Sequence, residues 1–163
     1  MWADGEGFLR ILHEELGDFI EVGTLGRLVI RLLVAMAAGA LLGYQREHVG
    51  KPAGLRTHMI VSLGAALFTA LPTLMHMDPQ AVSRIIQGVA AGIGFIGGGA
   101  ILKLSDKQQI RGLTTAASLW LAAAVGVAAG LGRPGSALLG AGLGLVILAV
   151  VGWMEYRLEG PRK

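Results

Sequence analysis

Residues 113–131 read Leu-Thr-Thr-Ala-Ala-Ser-Leu-Trp-Leu-Ala-Ala-Ala-Val-Gly-Val-Ala-Ala-Gly-Leu, nineteen residues without a charge. About 20 apolar residues carry an α-helix across the roughly 30 Å hydrocarbon core of a bilayer. Four more runs come close to that length: residues 28–44, interrupted by Arg31; 59–75, with Pro72 near its end; 85–102; and 136–154. The expected fold is therefore all-α, a polytopic integral membrane bundle of about five transmembrane helices.

Composition agrees. The 163 residues are 53% hydrophobic and only 15% charged, with a mean hydropathy of +0.62; soluble domains carry about 25% charged residues. The absence of cysteine excludes disulfides, thiolate metal sites and cysteine nucleophiles. A net charge of +3 and a pI near 9.7 do not point to nucleic acid here, because basic residues flank membrane helices for topological reasons. No nucleophile–base constellation is present, so no enzyme and no cofactor are expected.

The charges also set an orientation. With five spans, Arg46, Lys51, Arg56, Lys103, Lys107, Arg111, Arg157, Arg162 and Lys163 fall on one side. Arg10, Arg27, Arg31, Arg84 and Arg133 fall on the other or inside apolar segments. Basic loops stay cytoplasmic, which puts the N-terminus outside and the C-terminus in the cytoplasm. Residues 8–22 carry Phe8, Leu12, Leu16 and Phe19 at helical spacing among acidic groups and read as an amphipathic helix. Three regions follow: an acidic N-terminal segment over 1–26, a four-helix core over 27–132, and a fifth helix with a basic tail over 133–163.

Many of the 26 glycines lie inside the spans. Gly39/Gly43, Gly88/Gly92, Gly94/Gly98, Gly126/Gly130 and Gly140/Gly144 form small-xxx-small pairs, which let helix backbones approach closely in lipid. They read as packing faces, within one bundle or between copies, and Gly97 joins them. Two segments also share a pattern. Gly54-Leu55-Arg56-Thr57 opens the second span and Gly112-Leu113-Thr114-Thr115 the fourth, 27 and 28 residues after Arg27 and Arg84. A duplicated helical hairpin with a parallel repeat is expected.

Gly92-Ile-Gly94-Phe-Ile-Gly97 has the letters of a dinucleotide fingerprint but lies inside a span, with no acidic residue about 20 positions on. His13, His48, His58 and His76 lack the spacing of a metal pair, although His48 and His58 flank one loop. Arg31 either snorkels or needs a buried partner, with Asp78 or an N-terminal carboxylate as candidates. Arg84 and Gln87 lie one turn apart on one face, as an interfacial anchor with a hydrogen-bonding partner or as a polar mouth. Arg46, Glu47, Arg56 and Thr57 around the first loop, and Arg111, Thr114 and Thr115 around the third, form a cytoplasmic patch near helix N-termini.

These residues closely resemble the MgtC/SapB family. The motifs are Gly39-x-x-x-Gly43-Tyr-Gln-Arg46-Glu47, Ala53-Gly54-Leu55-Arg56-Thr57-His58, Arg84-Ile-Ile-Gln87, Gly92-Ile-Gly94-Phe95-Ile-Gly97, and Arg111-Gly112-Leu113-Thr114-Thr115-Ala116-Ala117 with Trp120. The resemblance implies a bacterial inner-membrane protein of magnesium or envelope-stress homeostasis. It further implies action by binding a membrane partner or a second copy, with a small ion transporter as the rival. It carries the family's polar positions onto Arg46, Glu47, Arg56, Thr57, Arg84, Gln87, Thr114 and Thr115. Gln45 stands where many members have glutamate, and Gly98 where alanine is usual. The resemblance is to the short SapB-like form, expected without the soluble C-terminal domain of longer members.

Overall fold

The computed structural model describes residues 8–11, 13, 17, 22–104, 109–152, 154 and 157. Five helices long and apolar enough to cross a membrane are present: α1 (Val22–His48), α2 (Leu55–Leu74), α3 (Pro79–Gly99), α4 (Leu113–Gly130) and α5 (Pro134–Val146), which runs on as a π-helical turn, Ile147–Val151. A small antiparallel hairpin, β1 (Leu102–Leu104) and β2 (Gln109–Arg111), joins α3 to α4 and pairs Leu102 with Arg111. The amphipathic helix expected over 8–22 lies largely outside the described residues.

Helix ends follow local chemistry. Asp78 precedes Pro79 at the first helical position, where a missing N–H costs nothing. Gly112 opens α4 in the left-handed region (φ 94°), and a Cβ there would overlap the Ala100 carbonyl oxygen; no other residue type fits this turn. α1 is longer than the apolar run predicts. Its Arg31 donates to the Gly130 carbonyl at 2.8 Å, at the C-terminal end of α4. A cation there satisfies an orphan carbonyl and complements the helix dipole. The partner is a main-chain oxygen, not the carboxylate that the sequence reading considered.

The core is a seam of small residues. α1 buries Ala35, Ala38, Gly39, Leu42, Gly43 and Arg46, one helical stripe. α2 buries His58, Ser62, Ala65, Ala66, Thr69 and Ala70. Nine residues of α4 are buried, most of them Ala, Gly, Ser or Thr. A Cβ on Gly39 would lie 2.6 Å from the His58 carbonyl oxygen, and one on Gly126 would overlap the Ser62 carbonyl from the other side. α2 is thus held between α1 and α4. α5 packs on α1 and α4, and α3 lies against α4 and, more loosely, α2. Large apolar side chains point outward, including Ile60, Phe68, Phe95 and Leu139, as expected where lipid surrounds the bundle.

A Cβ on Gly97 would sit 3.6 Å from the Ala116 Cβ, within the 3.5–4.5 Å that a disulfide needs. The native chain has no cysteine. Gly97→Cys/Ala116→Cys is therefore expected to form an intramolecular disulfide on mild oxidation in membranes, read as a shift on non-reducing gels. Gly94→Cys/Ala116→Cys, with Gly94 facing open space, is expected to stay reduced.

Candidate functional site

One end of the bundle gathers polar side chains. The C-terminal end of α1 meets the N-termini of α2 and α4, through Glu47 to Leu55 and Arg46 to Thr115. Gly50, at φ 65°, makes the first turn. Glu47 then reaches across, and the Leu55 N–H donates to its Oε2 at 2.7 Å. This supplies an acceptor to an orphan N–H of α2 and places negative charge at the positive end of the helix.

Behind Glu47 the cluster goes inward. Arg46 is 5% exposed. Its guanidinium donates through Nη2 to the Thr115 hydroxyl at 3.0 Å, while its Nε is buried with no partner. No carboxylate pairs with it among the described residues. His58, fully buried, donates from Nδ1 to the Gly54 carbonyl at 2.9 Å. A carbonyl only accepts, so in the neutral ring Nε2 is the acceptor. The Ser118 hydroxyl lies 3.1 Å from that nitrogen and 2.9 Å from the Thr115 carbonyl. One proton serves two acceptors. The cluster thus links α1, α2 and α4 through side chains alone.

Two further contacts extend it. Gln45 donates to the Leu148 carbonyl at 3.0 Å, inside the π-helical turn of α5, and its own Oε1 is buried without a donor. Insertion of an i→i+5 turn disturbs the regular carbonyl ladder, and an amide donor takes up the carbonyl. Ser62 donates to the Ala35 carbonyl at 2.7 Å, tying α2 to α1.

The sequence-derived candidates therefore separate. Arg46 and Thr115 meet in the buried cluster, and Glu47 caps α2 beside it. Arg56, Thr57, Arg111 and Thr114 surround the same end but are exposed. Arg84 and Gln87 are exposed on α3, away from the cluster. A Cβ on Gly39 or Gly43 would press into α2, and one on Gly97 would lie against Ala116. A Cβ on Gly88, Gly92 or Gly94 would meet no atom within 4 Å, and the buried residues of α3 are Ile93 and Gly97. His48 stacks on Tyr44 with ring centroids 6.0 Å apart, while the His58 ring bonds to Gly54 and Ser118. No group of three or more His, Cys, Asp or Glu residues able to hold a metal occurs among the described residues.

Sequence reasoning missed Ser62 and Ser118, and weighed His58 as a motif residue and as a neighbour of His48, not as a link between α2 and α4. The signal was present: Ser62 follows His58 by four residues and Ser118 follows Thr115 by three, each pair on one helix face. Thr115→Val is expected to leave the Arg46 guanidinium buried without a bond and to cost about 1.5–3 kcal/mol, the range for a hydrogen bond to a charged group. Thr114→Val, at the exposed neighbour, is expected to change stability by less than about 0.5 kcal/mol. Thermal unfolding in detergent distinguishes the two.

Comparison with known proteins bears on this geometry. The MgtC family profile matches residues 32–157. The chain is 43% identical over 125 residues to protein SrpB of Synechococcus elongatus, covering 70% of this chain and 69% of that one. It is 39% identical over 140 residues to YhiD of Escherichia coli K12, described as a candidate magnesium transporter, covering 80% of this chain and 63% of that one. With protein MgtC of Salmonella typhimurium LT2 it shares 42% identity over 105 residues, 64% of this chain and 44% of the relative. No solved structure matches. The motifs around Arg46, Gly54 to His58 and Thr115 all lie inside the matched region, and the chain belongs to the MgtC family.

Proposed function

We propose that this chain is an integral protein of the bacterial inner membrane that serves magnesium or envelope-stress homeostasis by binding and regulating membrane partners. The magnesium link rests on the MgtC relatives and on the description of the Escherichia coli relative. The membrane placement rests on five spanning-length helices. The basic end, with Arg46, Lys51, Arg56 and Arg111, faces the cytoplasm, since positively charged loops resist translocation. That end is the contact surface in this reading, with Arg56, Thr57, Arg111 and Thr114 exposed around the buried cluster.

The observation that carries the binding role is how the buried polar groups are used. Ser62 and Thr69 are fully buried. Each donates to main-chain carbonyls, Ser62 to Ala35 and Thr69 to Ala65 and Ala66. A conducting path needs polar groups that face water or an ion. Here they face carbonyls, and the helices close over them with Ala and Gly.

The rival reading is ion transport. The description of the Escherichia coli relative favours it, as does the exposure of Arg84 and Gln87 on α3, which would place a polar path between copies. The test has two arms. A strain lacking this gene is expected to grow poorly at low magnesium and to recover with the wild-type chain. Proteoliposomes holding the folded protein and dyes for magnesium, protons and potassium are expected to show no flux above protein-free vesicles. Flux that disappears in Arg84→Ala would establish the transporter instead, and growth indifferent to magnesium would remove the homeostatic role.

A further inference from the structure

α3 touches the bundle along a narrow stripe, and beside that stripe it stands away from α2. The space between them is a groove of about 630 Å³. Ile60, Gly64 and Phe68 form the α2 wall and Gly88, Gly92 and Ile96 the α3 wall. Every lining residue is apolar, including Ala123 of α4 at the floor. The glycines make the groove: a Cβ on Gly64, Gly88 or Gly92 would meet no atom within 4 Å, so side-chain volume is missing where a neighbouring helix would ordinarily supply it.

Three features identify the occupant. The first is length. Along α3 the lining runs from Ile85 to Ile96, about 16 Å at 1.5 Å per residue. One leaflet of hydrocarbon is about 15 Å deep, half of the ~30 Å core. The second is charge. Arg84 precedes Gly88 by four residues, so Arg84, Gly88, Gly92 and Ile96 form one continuous stripe, with a guanidinium at one end of an apolar bore. Arg84 is exposed and makes no hydrogen bond or ion pair among the described residues. The third is what the chain itself can offer. Glu47 is the only carboxylate within the five helices, and it is engaged at the other end of the bundle. Asp78 stands at the N-cap of α3, six residues from Arg84 and about 9 Å along the axis toward the helix end, so a span from a second copy brings no carboxylate into the groove, whereas a phospholipid brings both the alkyl chain and the phosphate.

We propose that the α2–α3 groove binds one acyl chain of an anionic phospholipid, with the headgroup phosphate on Arg84. Arginine pairs with phosphate through its planar fork of donors, and its aliphatic stem reaches along the helix from membrane depth to the interface. Gly88 and Gly92 are binding residues in this assignment, by leaving room, and not helix-packing residues. The site does not depend on whether the protein regulates partners or moves ions.

The test uses the full chain purified in detergent and titrated with dioleoylphosphatidylglycerol or dioleoylphosphatidylcholine, with bound lipid counted by native mass spectrometry. The wild type is expected to retain one phosphatidylglycerol at about tenfold lower concentration than phosphatidylcholine, the scale of one charge-assisted bond. Arg84→Gln is expected to abolish that preference without adding bulk. Gly88→Leu/Gly92→Leu fills the groove and is expected to weaken both lipids about tenfold. Gly94→Leu, equally bulky on the same helix but outside the lining, is expected to match wild type. Lipid binding unchanged in the double leucine variant, or a preference that survives Arg84→Gln, would overturn the proposal. So would a wild-type dimer that the double leucine variant dissociates, because a second copy would then fill the groove.

Discussion

The structure depends on how closely the backbone of α2 is held between α1 and α4. Gly39 and Gly43 let α1 settle against His58, Ser62 and Leu55, and Gly126 and Gly130 let α4 settle against Ser62, Ala66 and Thr69. In lipid no hydrophobic force drives helices together, so contact area and hydrogen bonds between them must do it. Glycine and alanine supply the area by removing side chains from the contact. The consequence is an inverted distribution: small and hydroxylated residues inside, and Ile60, Phe68, Leu139 and other large aliphatic or aromatic groups outside.

Close approach also makes the buried polar cluster possible. Arg46 on α1 reaches Thr115 on α4, and the His58 ring of α2 lies between the Gly54 carbonyl and Ser118 of α4. With helices a side chain further apart, these groups would be left buried without partners, at a cost of about 1–3 kcal/mol each. The same packing seals Ser62 and Thr69 against main-chain carbonyls. α3 escapes this packing, and its open glycine face is available to lipid.

Much of the architecture was legible in the sequence, because membrane spans declare themselves by length and apolarity. All five runs became helices. Arg31 obscured the start of α1 because its partner, the Gly130 carbonyl, is 99 residues away, and no local pattern encodes that distance. The glycine pairs were visible, but their direction was not. Gly39/Gly43 and Gly126/Gly130 face helices, whereas Gly88, Gly92 and Gly94 face open space. A helix as rich in glycine as α3 offers several smooth faces, and only tertiary contacts choose among them. The same holds for the paired threonines: Thr114 and Thr115 are alike in sequence, but helical rotation buries one and exposes the other. The hairpin between α3 and α4 left no apolar signal to read.

An alanine scan of the glycines, read by thermal unfolding of the purified chain, tests the dependence on backbone approach most directly. Alanine at Gly39, Gly43, Gly126 or Gly130 is expected to destabilise by about 1–3 kcal/mol, the cost of forcing extra volume into a packed contact. Alanine at Gly94 or Gly98, which meet nothing within 4 Å, is expected to be neutral or to stabilise by up to about 1 kcal/mol through helix propensity. Equal effects in the two groups, or greater losses at Gly94 and Gly98, would contradict the account.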